Sequence, residues 1–168
     1  MTALQLPGLE QPGCWQVRHR SDPAALRLAD RHYSRGRRGA PWVGPPGRVL
    51  VLVTGDETAV WVTHWPHPAL AQDGLDAWRC SLFRNEGPSL SSALIGLAMA
   101  DTLRWWAEAR PGSPWWAELP RDGWVTWADQ RHVRSPNPGD CFQRAGWRRD
   151  RGWAHRHLVH LRAEVTAR

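Results

Sequence analysis

The sequence predicts an α/β fold: one domain on a mixed, mostly antiparallel sheet with two or three helices. Three observations carry this. The chain's 168 residues suit a single hydrophobic core. Short apolar runs bounded by Gly and Pro recur along it, as strands do, and only two or three stretches carry helical punctuation. Their order, β-α-loop-β-β-β-α-β-α-β-β, places one β-α-β crossover between parallel strands mid-chain and leaves most other pairings to hairpins.

Residues 1–13 read as an N-terminal extension and residues 14–168 as the domain. "CWQVRHR" (14–20) alternates apolar and polar, the period of a strand. "SDPAALRLADRHYS" follows as a short helix, with Ser21 or Asp22 as N-cap, Pro23 in the first turn and Leu26, Leu28 and Ala29 as its apolar positions. "RGRRGAPWVGPPG" (35–47) is a loop by composition. "RVLVLVTGDETAVWVTHW" is a β-hairpin turning at Gly55-Asp56-Glu57, with Gly55 supplying a positive φ.

After the loop "PHPALAQDG", the strand "LDAWRCSLF" leads through Arg-Asn-Glu-Gly-Pro into a helix over 89–109, ended by Pro111, Gly112 and Pro114. That helix carries two apolar stripes, one of Leu90, Leu94, Leu97 and Ala98, the other of Ile95, Met99, Leu103 and Trp106. Both faces are therefore expected to be covered. "WVTWAD" is a short buried strand. Asn137-Pro138 opens a compact helix, "PGDCFQRAG", closed by Gly146, and two strands around "WRRDRGW" and "HRHLVHLRAE" finish the chain.

Composition narrows the function. No apolar run approaches a membrane span, and the N-terminus has neither the basic start nor the apolar middle of a signal peptide, so a cytoplasmic location is expected. Cys14, Cys80 and Cys141 are odd in number and lack any CxxC spacing, which points to free thiols. Net charge is +6 with a pI near 10.8, and all the basic residues are Arg. GC-rich codons give that bias; so does a phosphate-bearing partner, because guanidinium forks match phosphate oxygens. The loop 35–47, with Arg35, Arg37, Arg38 and neighbouring Arg48, reads as a mobile basic segment or a connector.

The corner 84–92 is the most informative stretch. A strand feeding a Gly turn and then a helix N-terminus offers unpaired amides and a positive dipole end to an anion. Gly87 permits close approach, Pro88 stands at the first helical position, Ser89, Ser91 and Ser92 are small, and Arg84 adds charge. An ordinary serine-capped helix reads the same way. Neither GxxxxGK[ST] nor GxGxxG after a strand occurs.

The run Arg84-Asn85-Glu86-Gly87-Pro88-Ser89 resembles the Gln/Arg-x-x-Gly-x-Gly/Ala loop of the GNAT superfamily of acyl-CoA-dependent N-acyltransferases, with Ser in the last place. "CFQRAGW" is similar to that family's Tyr-x-x-x-Gly-Phe helix end, with Phe142 where many members carry a proton-donating Tyr. With "RHYSR" and "WVTWAD", the set resembles a phage-associated branch related to the Mom protein, which acylates adenine in DNA. The resemblance covers about residues 30–150.

It implies a GNAT-like sheet with helices on both faces and acetyl-CoA or another acyl-CoA as cofactor. Phe83, Arg84, Gly87, Ser89, Ser91 and Ser92 would bind it. It implies His32 as base or metal ligand, Tyr33 as donor and Asp129 as orienting carboxylate. Iron is a further implied cofactor, its ligand set unknown, and DNA an implied partner. A non-catalytic nucleic-acid-binding module and an acetyltransferase of small amines or protein N-termini are the alternatives.

Read on their own residues, these sites have plainer explanations. Asp129, at the carboxyl end of "WVTWAD", orients an amine, binds a cation or caps the turn that follows. His32 makes a base or a helix-end dipole contact. His64 and His67 read as loop residues, and Cys141 as pointing away from the position of Phe142.

Overall fold

The computed structural model describes residues 15–71, 73–108, 119–152 and 157–165. Their elements are β1 (Trp15–Arg18), α1 (Pro23–Asp30), β2 (Val49–Thr54), β3 (Ala59–His64), a 3₁₀ turn (Pro68–Leu70), β4 (Trp78–Asn85), α2 (Ser91–Glu108), β5 (Trp124–Asp129), α3 (Asp140–Arg144), β6 (Arg148–Arg149) and β7 (Leu158–Ala163). The seven strands form one open sheet in the order β1-β2-β3-β4-β5-β7-β6, antiparallel except for the pair β4/β5. The expected mixed sheet with three helices is present. The expected extension, Cys14 and the residues expected to end α2 lie outside the described residues.

Alternation along β2 separates two cores, because successive side chains leave opposite faces of a strand. Leu50 and Leu52 join a cluster with Trp61, Trp78, Trp124 and the α2 residues Leu94, Ile95, Ala98 and Trp106. Val51 and Val53 join Val60, Val62 and the α1 residues Ala24, Ala25, Leu28 and Ala29. Tryptophan dominates the first cluster: Trp61, Trp78 and Trp124 are fully buried, and the rings of Trp78 and Trp124 lie 4.7 Å apart. Trp15 Nε1 donates to the Leu94 carbonyl at 2.9 Å, tying the edge strand to α2.

Local chemistry sets the boundaries. Asp22 is the N-cap of α1; its carboxylate accepts from the amides of Ala24 and Ala25, and Pro23 lacks an N–H to leave unpaired. In the hairpin, Glu57 rather than Gly55 takes the positive φ, at 57°. Thr54 Oγ1 accepts from the amides of Thr58 and Ala59, and Asp56 Oδ1 from the amide of Thr58, so side chains hold the turn that glycine was expected to make. Gly146, with φ 93°, closes α3 as expected: its amide bonds the Gln143 carbonyl and that of Trp147 bonds Phe142.

Two further expectations are corrected. α2 begins at Ser91, not Ser89, leaving Pro88 outside it, because Asn85 Nδ2 donates to the Ser89 carbonyl and to Ser91 Oγ and holds the chain in a loop. The helix also buries one face only: Leu94, Ile95, Ala98 and Trp106 are buried, while Leu97 is exposed, as is Leu90 just before the helix. The pairing of β3 with β4 slips between Val62 and Thr63, which oppose Leu82 and Cys80, so Ser81 is the extra residue of a bulge.

Candidate functional site

Parallel strands β4 and β5 share only two registered pairs, Trp78 with Trp124 and Arg79 with Val125. Beyond them Thr126 Oγ1 still reaches the Cys80 carbonyl at 2.8 Å. The strands then part around a cavity of about 140 Å³, whose lining includes His32, Tyr33, Leu82, Phe83, Cys141 and Phe142. The parting strands face each other with main-chain groups that have no strand between them, at the carboxyl ends where ligands enter α/β sheets.

His32 and Tyr33 reach this opening from the turn after α1, with stacked rings 4.4 Å apart. His32 Nδ1 accepts from the Ser34 amide at 3.2 Å and lies 2.7 Å from Ser34 Oγ, while the Phe83 backbone engages the ring. Burial, reinforced by the positive charge of Arg84, brings its pKa down to about 4. His32 is thus a neutral ring bound on both sides, wedged against β4. Burial also raises the phenol pKa of Tyr33, keeping its proton in place.

Asp129, the last residue of β5, is reached by the same turn: its amide donates to Tyr33 Oη at 3.3 Å. Its carboxylate accepts from the Arg131 amide, Nε and Nη2 at 2.9, 3.1 and 2.8 Å. His132 Nδ1 lies 3.1 Å from Oδ2. The Arg131 fork, first among these contacts, holds the carboxyl well below the usual carboxylate range. Asp129 thus caps the turn that follows β5 and anchors the Arg131 and His132 side chains. The fold therefore brings His32 and Asp129 to the two sides of Tyr33, one by ring stacking and the other by its amide.

A second cavity, about 360 Å³, opens beside the first and shares Tyr33, Ser34, Cys80, Ser81 and Trp127 with it. Its other walls are His64, Arg79, Asp129, His132 and Leu158. The Tyr33 and His132 rings stack at 5.5 Å and within 6° of parallel. Arg79 is buried in an ion pair with Asp73 and lies 5.5 Å over the Trp127 ring. Burial, and then Arg79, lowers the pKa of His64 to about 4. His64 is the end of β3 and a wall of this cavity, not a loop residue.

The corner 84–92 lies just beyond Phe83. Arg84 is engaged inside the protein: Nε donates to Glu86 at 2.5 Å and Nη1 to the Arg31 carbonyl at 2.7 Å, while Arg31 holds Glu86 at 2.6 Å. The Gly87 amide is taken by Asn85 Oδ1 and that of Glu86 by the Thr58 carbonyl. Among the described residues, no protein acceptor meets the amides of Ser91, Ser92 and Ala93. These are the free amides of an 18-residue helix, displaced from Gly87 and Ser89, where they were expected.

Gly87 has a packing reason. A Cβ there would overlap Thr58 Oγ1 and come within 2.9 Å of Thr58 Cβ. Gly87→Ala is expected to cost about 1–2 kcal/mol, as overpacking does, and Thr58→Ala in the same chain to restore part of it. Urea midpoints of the two single variants and the double variant check this.

The thiols are quiet. Burial raises the pKa values of Cys80 and Cys141, so neither is a ready thiolate, although Cys141 lines the first cavity instead of pointing away. Phe142 packs 6.0 Å from Phe83, edge to face, and has no proton to give. No group of three His, Cys, Asp or Glu side chains able to hold a metal occurs among the described residues. Within the same residues, no helix is long and apolar enough to cross a membrane.

The Arg-rich loop is stapled in place. Arg35 pairs with Asp30 at 2.8 Å and donates to the carbonyls of Trp42 and Ala40, while Asp30 also accepts from the Gly39 amide. Arg37 and Arg38 remain exposed on that frame.

Comparison with protein-family models, curated proteins and solved structures returns no match. The fold and site define an α/β protein with two adjoining cavities at the parting of parallel strands. Sequence reasoning missed Trp127, His132, His64 and Arg79 as walls of the wider one. Only His132 carried a signal, three residues beyond Asp129 in a turn.

Proposed function

We propose that the protein is an acyl-CoA-dependent N-acyltransferase of GNAT-like architecture, with adenine in DNA as acceptor. The observation that carries the reading is the parting of β4 from β5 around a cavity lined as far as Phe83, the β4 residue after which the chain turns through the corner 84–90 into α2. An extended pantetheine arm suits the space between the strands, pairing with main-chain groups as an added strand does. The diphosphate suits the unpaired amides of Ser91, Ser92 and Ala93. Packing of α1 in one core and of α2 and α3 in the other supports helices on both faces of a GNAT-like sheet.

Tyr33 belongs to both cavities and keeps its proton, so it donates to the leaving thiolate where Phe142 cannot. With the thiols of Cys80 and Cys141 held protonated, the acceptor amine attacks the thioester directly rather than an acyl-cysteine at either residue. Arg37 and Arg38 face solvent on a fixed loop and meet DNA phosphates.

Calorimetry with acetyl-CoA and mass spectrometry of nucleosides from the DNA of expressing cells test the reading together. Binding with an acylated adenine is the expected result. Binding with unmodified adenine redirects the acceptor to small amines or protein N-termini. Absence of binding at high protein concentration ends the transferase reading in favour of a nucleic-acid-binding module.

A further inference from the structure

We propose that His132, oriented by Asp129, is the proton acceptor for the amine that enters the wider cavity, a role that His32 is placed to fill in sequence but not in space. The proposal rests on the transferase reading and adds its base. Three observations support it.

First, His32 has no lone pair to spare. Nδ1 accepts from Ser34 and the Phe83 backbone engages the ring. His32 also borders only the narrow cavity, together with Phe83 and Phe142. Second, His132 has the arrangement of an activated imidazole. Its Nδ1 faces Asp129 Oδ2 at 3.1 Å, so Nδ1–H donates to the carboxylate and the basic lone pair belongs to Nε2. Among the described residues, no protein group bonds Nε2. The two Arg131 nitrogens and its amide fix the carboxylate, so the dyad has a rigid base.

Third, the place is right. His132 lines the wider cavity and stacks on Tyr33, one of the residues that line both cavities. The charged and titratable groups that line this cavity with His132 are Asp129, Tyr33, His64, Arg79 and Cys80, and the Arg131 guanidinium shares the Asp129 carboxylate. His64 stays neutral and Arg79 is committed to Asp73, so Asp129 is the carboxylate that steadies an imidazolium.

The step balances without any other reagent. The amine nitrogen attacks the thioester carbonyl carbon, the C–N bond forms, and the C–S bond breaks with its electron pair going to sulfur. The nitrogen's proton passes to Nε2 of His132, and Asp129 stabilises the resulting imidazolium. The sulfur takes the Tyr33 phenol proton. Bulk water then receives the imidazolium proton and reprotonates the phenolate. A thioester and an amine become an amide and a thiol.

The test uses the full chain, acetyl-CoA and an adenine-containing single-stranded oligonucleotide, with free thiol as readout. His132→Ala is expected to lower turnover about 100-fold or more, the usual worth of a general base. Acetyl-CoA binding should hold, the acidic limb of the pH–rate profile should vanish, and added imidazole should restore part of the rate. A His132→Ala protein that turns over normally, or one whose lost rate ignores imidazole and keeps its acidic limb, overturns the assignment.

If the wild-type chain neither binds nor consumes acetyl-CoA, the transferase reading fails first, and nitrogen NMR of the imidazoles decides the dyad. A neutral His132 ring protonated on Nδ1, losing that tautomer preference in Asp129→Asn, upholds it. A ring protonated on Nε2 in the wild type overturns it.

Discussion

Lowering the pH from 6.5 to 4 is expected to strip the protein of several kcal/mol of stability, most of it through two buried histidines. His32 and His64 have folded pKa values of about 4 against an ordinary 6.5, chiefly through burial. Between those limits the unfolded chain takes up two protons that the native one refuses, so stability falls as pH falls. The contribution is fully present above 6.5 and exhausted below about 4. Each pH unit between the folded and unfolded pKa is worth about 1.4 kcal/mol, so each histidine accounts for roughly 3 kcal/mol. Together they match much of the roughly 5–15 kcal/mol by which ordinary domains are stable.

Urea midpoints measured every half unit of pH check this. The double variant His32→Gln, His64→Gln should have a flatter profile from 6.5 to 4.5. A flat wild-type profile would show that both rings accept protons in the folded state. Below this window Asp129 and Asp73, whose pKa values lie under the usual range, become the next groups to yield.

Replacing Arg79 by Met is expected to cost about 3–5 kcal/mol, the range for breaking a buried ion pair. The Asp73 side chain is 1% exposed and that of Arg79 7%. Removing the guanidinium leaves the Asp73 carboxylate without its ion-pair partner, with the Leu75 amide still donating to it. The double variant Arg79→Met, Asp73→Asn should recover most of the loss, because the desolvated charge goes with its partner. Arg79 also helps to hold down the pKa of His64. Its removal should therefore bring His64 closer to an ordinary histidine and shallow the acid slope between pH 6.5 and 4. Midpoints of the two variants across pH separate the two effects.

What could be read from the chain follows from how local each cause is. Asp22 and Pro23 start α1, Gly146 ends α3, and "WVTWAD" is a strand; each is a matter of neighbours, and each is found where expected. The start of α2 was missed because Asn85 holds Ser89 and Ser91 through side-chain bonds that no periodicity reveals. Exposure of Leu90 and Leu97 was missed because an apolar stripe does not say whether anything covers it.

At the site, His32, Tyr33 and Asp129 were marked by resemblance, and their meeting depends on a contact across 96 positions, Asp129 N–H to Tyr33 Oη. The capture of Arg84 by Glu86 and the enclosure of His64 and Arg79 in a cavity wall are likewise facts of folding. No spacing rule reaches them.

The extra serine in β4 works as a phase slip. Up to it, Trp78 and Cys80 face the tryptophan side; after it, Phe83 does, while Leu82 faces α1. Were Ser81 accommodated without a bulge, strict alternation would put Leu82 on the tryptophan side and Phe83 against α1, inverting that wall; excising Ser81 would leave both where they are. The bulge thus absorbs one extra residue and keeps each later side chain of the strand in its own half of the molecule.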